Sequence, residues 1–105
     1  MLIHKTVKLL KNQYQDILNA FQEFGMDSDF FALTKRRGRI IIQISSRTSS
    51  FELYRRKLVT LSPQRQWYHQ EQYELHFHGN HHMVASWEDV MNQLRGWIAL
   101  EEGHK

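Results

Sequence analysis

Apolar positions along the chain fall into patterns that change period from one stretch to the next. Between residues 6 and 24, Val7, Leu10, Tyr14, Ile17, Phe21 and Phe24 recur at spacings of three and four, which lines them up on one side of a helix. Gly25 then stands where such a helix stops. The stripe is too short for a coiled-coil seam, so packing against the chain's own sheet is expected. Residues 30–35 and 39–45 are rich in Phe, Leu, Thr and Ile, side chains that suit a pleated, half-buried surface, and predict two strands turning at Gly38. Ile40, Ile42 and Ile44 point one way and Ile41 the other.

Residues 45–50, SSRTSS, read as a polar connection. Residues 51–61 fit two periods: Phe51, Leu53, Val59 and Leu61 alternate as in a strand, whereas Phe51, Tyr54, Leu58 and Leu61 fit a helix started by Ser50. Val59 and Thr60 are β-branched and Pro63 follows closely, which favours the strand. Residues 65–78 predict a long strand that returns as residues 81–85 through a two-residue loop at Gly79-Asn80. That loop pairs His78 with His81, Phe77 with His82, His76 with Met83 and Leu75 with Val84. Tyr73, Leu75, Phe77 and Val84 then share a buried face, and His76, His78 and His81 the opposite one.

Ser86 predicts a helix N-cap, with Glu88 and Asp89 in the first turn where the helix dipole favours acids. Trp87, Val90, Met91, Leu94, Trp97, Ile98 and Leu100 form its apolar stripe, and Gly103 ends it. The order is helix, five strands, helix. It predicts an α+β fold in which a mainly antiparallel sheet of about five strands is flanked by an N-terminal and a C-terminal helix. At 105 residues the whole chain, 1–105, is expected to be one domain.

Composition narrows the chemistry. The chain has no cysteine, which removes disulfides, thiol nucleophiles and thiolate metal sites and suits a reducing compartment. No apolar run has signal-peptide or membrane-spanning length, so the expectation is a soluble, cytoplasmic chain with no membrane partner. There is no Gly-x-Ser-x-Gly elbow, no Gly-rich phosphate loop and no carboxylate pair on a shared element, and these absences favour a binding or assembly module over an enzyme.

Charge adds a direction. The net charge is only +3, yet residues 35–65 carry Lys35, Arg36, Arg37, Arg39, Arg47, Arg55, Arg56, Lys57 and Arg65 against the single acid Glu52. Lys35, Arg36, Arg37 and Arg39 crowd the first hairpin, Arg55, Arg56 and Lys57 form a second cluster, and Arg65 precedes Trp67 and Tyr68. Guanidinium groups grip phosphates bidentately while exposed rings stack on bases, so this set is the candidate surface for an anionic partner, either nucleic acid or an acidic protein surface. The alternative function is a homodimerising interaction module that uses the helix 1 stripe or the second face of the isoleucine strand. A third is a small metal-dependent enzyme in which His76, His78 and His81 hold zinc or copper; without that cluster no cofactor is called for.

Overall fold

The computed structural model describes residues 2–25, 31–36, 39–44 and 49–103, which form β1 (Leu2–Val7), α1 (Lys11–Glu23), β2 (Phe31–Arg36), β3 (Arg39–Ile44), β4 (Ser50–Leu61), β5 (Trp67–Phe77), β6 (Asn80–Val84) and α2 (Trp87–Gly103). This is the α+β architecture expected from the sequence, with an additional strand before the first helix. The expected turn at Gly38 and most of the polar connection 45–50 lie outside the described residues.

All strand pairings are antiparallel, and β4, at 12 residues, is the spine of the sheet. Two short strands share one of its edges end to end. β3 pairs with its first half, from Gln43 opposite Ser50 to Arg39 opposite Tyr54. β1 pairs with its second half, from Val7 opposite Arg55 to Leu2 opposite Thr60. β5 runs along the whole of the other edge, and β2 and β6 extend the sheet at the β3 end.

The helix expected to begin at Thr6 begins at Lys11 instead, because Thr6 and Val7 belong to β1. The far half of β4 needs a partner on that edge, and the β-branched Thr6 and Val7 provide part of one. α1 is then opened by Gln13, whose Oε1 accepts the Leu10 N–H at 3.0 Å. It closes at Gly25, whose φ of +71° carries the chain out of the helix.

Both helices pack on one face of the sheet. Ile17, Ala20 and Phe21 from α1 and Val90, Met91, Leu94, Trp97 and Ile98 from α2 meet Ile40, Ile42, Ile44, Phe51, Leu53, Tyr73 and Leu75 in one buried cluster. α1 therefore spends Ile17 and Phe21 of its apolar stripe inside the chain, while Tyr14 and Phe24 are partly buried and Leu10 is exposed. Ser86 caps α2 as predicted, its Oγ accepting the Asp89 N–H at 3.1 Å.

The helices cover only the β3 end. Beyond Arg55 the outer halves of β4 and β5, with β1 alongside, project as a three-stranded arm closed by a turn in which the Arg65 N–H donates to the Ser62 carbonyl at 2.8 Å. Trp67 and Tyr68 stand half-exposed at its tip, on opposite faces.

Candidate functional site

Where β1 ends against Arg55 and β3 begins against Tyr54, the two strand ends meet on β4, and the chain leaves β1 to start α1. The β2–β3 hairpin brings its basic end to the same place. The result is a cleft of about 510 Å³ walled by Lys8, Lys11, Tyr14, Lys35, Arg36 and Arg39. No acidic residue lines it among the described residues, and α1 has no acid in its first turn, its start being capped by the neutral Gln13. The positive end of the helix dipole there adds to Lys8, Lys11 and Lys35, whereas Arg36 and Arg39, a cross-strand pair one residue on from Lys35 and Ile40, border the cleft from the strands and project to the opposite face of the sheet.

Two of those cations rest on rings. Lys35 Nζ sits 3.5 Å from the centre of the Tyr14 ring. The Arg39 guanidinium lies 5.9 Å from that of Tyr54, and its Nη1 donates to the Tyr54 hydroxyl at 3.3 Å. The floor is held from below by Arg55, whose Nη1 donates to the Lys8 carbonyl at 2.8 Å and so fixes the β1–α1 connection.

The sequence-predicted cations are not equivalent in space. Lys35, Arg36 and Arg39 border the cleft, with Lys35 over Tyr14 on the helix side and Arg39 turned to Tyr54 on the uncovered face, and Arg37 lies outside the described residues. Arg55 faces the helices, is buried, and is ion-paired to Glu71. Arg56 points to the opposite face, where Glu74 engages it. Lys57 lies along the arm between Lys5 and Glu71, while Arg65, Trp67 and Tyr68 are exposed near its tip. Lys8 and Lys11 are cleft residues that the charge window 35–65 leaves out; their signal lies in recognising residues 8–10 as a connection rather than helix interior.

A polar relay underlies the cleft. Glu71 takes Arg55 on one carboxylate oxygen and the Tyr73 hydroxyl on the other at 2.9 Å, and Tyr73 in turn accepts Gln13 Nε2 at 2.7 Å. The Arg55 hydrogen bond holds the Glu71 carboxyl below its ordinary range; burial opposes this, and the Tyr73 hydroxyl and Lys57 reinforce it. Burial, and then the hydrogen bond to Glu71, push the Tyr73 phenol up.

The histidines regroup. The β5–β6 loop is His78-Gly79, not Gly79-Asn80: both loop residues have positive φ, 52° and 72°, and glycine takes the second loop position that a type I′ turn favours for it. Pairing therefore shifts by two, giving Phe77 opposite Asn80, His76 opposite His81, Leu75 opposite His82 and Tyr73 opposite Val84. An even shift preserves faces, so His76 and His81 still share the uncovered one, their rings stacked 4.5 Å apart. His78 leaves that group for the turn, with Nε2 3.6 Å from the Glu101 carboxylate.

Glu74 takes its place. Its Oε1 lies 2.6 Å from His81 Nε2 and 3.5 Å from His76 Nε2, and its Oε2 accepts Arg56 Nε at 2.9 Å. Burial alone would raise its carboxyl, but Arg56 and His81 reverse this and leave it lowered.

No family model, curated protein or solved structure matches this chain. Among the described residues no helix is long and apolar enough to cross a membrane.

Proposed function

We propose that the chain is a binding module whose basic cleft takes the phosphate groups of a nucleic acid. The observation that carries this is the cleft itself: Lys8, Lys11 and Lys35 stand around one concavity at the start of α1, with Arg36 and Arg39 at its strand border and no acid among its lining residues. Arginine forks and lysine point charges together suit a phosphate better than an isolated carboxylate. The arm supports the same reading. From Arg55 to its tip at Leu61 it extends about 20 Å, so a strand held at the cleft passes within reach of the half-exposed Trp67 and Tyr68 rings.

The test is fluorescence anisotropy with a single-stranded oligonucleotide across a salt series. Binding is expected to weaken steeply with salt. Lys35→Glu with Arg36→Glu is expected to lower affinity at least about tenfold and to flatten the log–log salt slope by about 1.4 if both side chains meet phosphates. Arg95→Glu, on the exposed side of α2 beside Glu23, serves as a single charge-reversal control away from the cleft and is expected to change little. Retention indifferent to salt, or equal losses in the control, defeats the reading. Binding to a polyglutamate peptide in preference to the oligonucleotide would redirect it to an acidic protein partner.

A second reading, self-association, is favoured by one specific observation: the arm presents Trp67 and Tyr68 half-exposed beside strand edges that nothing pairs among the described residues.

A further inference from the structure

We propose that Glu74, His76 and His81 form a binding site for a first-row divalent metal ion, zinc being the ion tested, on the uncovered face of the sheet. This site is separate from the basic cleft and does not depend on it.

The sheet places the three donors before any ion arrives. Glu74 and His76 are two apart on β5 and so project from the same face, and His81 lies directly opposite His76 on β6. The turn at His78-Gly79 fixes that register. One ligand atom from each residue falls within 4.8 Å of the others. Ligand atoms around a tetrahedral zinc, at bond lengths of about 2.0–2.1 Å, lie about 3.3 Å apart. The Oε1 separations of 2.6 Å to His81 and 3.5 Å to His76 straddle that value, so small side-chain rotations reach it.

The surroundings hold the carboxylate in the orientation a metal needs. Arg56 engages Glu74 Oε2 through Nε and Nη2, and its Nη1 donates to Thr6 Oγ1 at 2.8 Å, so the guanidinium is itself anchored. Oε1 is thereby turned to the imidazoles. His76 is braced by the edge of Tyr54, with ring centres 5.5 Å apart. Such supporting contacts are what orient metal ligands and set affinity.

The donor set also selects the ion. Two imidazoles and one carboxylate suit zinc, copper or nickel and not magnesium or calcium, which take oxygen ligands. Ligation through Nε2 uses that nitrogen's lone pair, so a neutral ligating imidazole carries its proton on Nδ1. His76 and His81, with His78 at the turn, also wall a hollow of about 640 Å³ that has Ser50, Glu52 and Asn80 on its rim, which gives a fourth ligand room to enter.

The experiment is isothermal titration of the full chain with zinc, paired with cobalt(II) absorption, whose visible band intensity separates four-coordinate from six-coordinate ions. One zinc per chain is expected. His81→Ala, His76→Ala and Glu74→Gln should each weaken binding about tenfold or more. His78→Ala, whose ring faces Glu101, should leave it unchanged. His76 and His81 are partly exposed, so those two variants stay folded, and a thermal melt confirms it. No saturable binding overturns the proposal. Equal affinity in wild type and in the His76→Ala/His81→Ala double variant also does so, as does a loss in His78→Ala matching that in His81→Ala.

Discussion

Arg55 is one of nine basic residues between positions 35 and 65, and its neighbours in the sequence give no sign that it differs from the rest. Its direction does. Lying on the helix side of β4, it is enclosed, and its charge is met by Glu71 and the Lys8 carbonyl. Removing one member of such a pair costs more than forming it contributes, because the other is left under-solvated. Arg55→Ala is expected to destabilise the fold by about 2 to 3 kcal/mol, at or below the low end of the usual cost of breaking a buried pair because Glu71 remains partly in contact with water. Urea unfolding with an unchanged slope checks it. The same pair has a pH signature. A carboxyl lowered in the folded state stabilises the fold fully above the ordinary glutamate range, and that contribution is lost as the pH falls through the lowered value. Glu71→Gln should therefore be less stable than wild type at neutral pH and should lose less stability on acidification. Parallel pH–stability curves for the two proteins would contradict the assignment.

At the scale of elements, legibility followed how local each signal was. α2 was readable to its cap because Ser86, Glu88, Asp89 and the apolar stripe all act within a few residues of one another. β4 was readable because Val59, Thr60 and Pro63 broke the tie between two periods. β1 was not, since Val7 and Leu10 fit helical spacing and only the need of the distant outer half of β4 for a partner draws Thr6 and Val7 into the sheet. The loop was misplaced by one residue because glycine beside either His78 or Asn80 gives a plausible pair, and the structure puts glycine second. For the candidate site, Lys35, Arg36 and Arg39 were legible from charge density, while Lys8 and Lys11 became cleft residues only once the chain's path after β1 was known. Glu74 joined the histidines for the same reason, as a consequence of register. Gly79→Ala tests the turn: at φ +72° a Cβ meets no neighbouring atom yet strains the backbone, so a loss of about 1 kcal/mol is expected in thermal or urea unfolding. An unchanged midpoint would place the turn elsewhere.

The whole molecule is long for its size. Its radius of gyration is 15.4 Å, where about 13 Å is usual for a chain of this length, and its extents are 54 × 27 × 22 Å. The excess is the arm, which carries strands without helices over them. Trp67 and Tyr68 at its tip contribute little to the core, so Trp67→Ala with Tyr68→Ala should change stability by no more than about 0.5 kcal/mol. If the arm is an association surface, light scattering should show a concentration-dependent mass above 12.7 kDa for wild type that returns to the single-chain value in the double variant. A wild-type mass that stays at one chain at every concentration removes the self-association reading.

The end-to-end arrangement of β1 and β3 along β4 bears on the order in which the molecule assembles. The β4–β5 hairpin closes over the short turn at residues 62–66, whereas β1 must find its place on β4 across a separation that runs from Val7–Arg55 to Leu2–Thr60. Short-range closure is entropically cheap and fast, and long-range closure is late. Lys8 and Lys11 reach their positions only when β1 has docked. The basic cleft is thus expected to take shape late, once β1 has docked on β4.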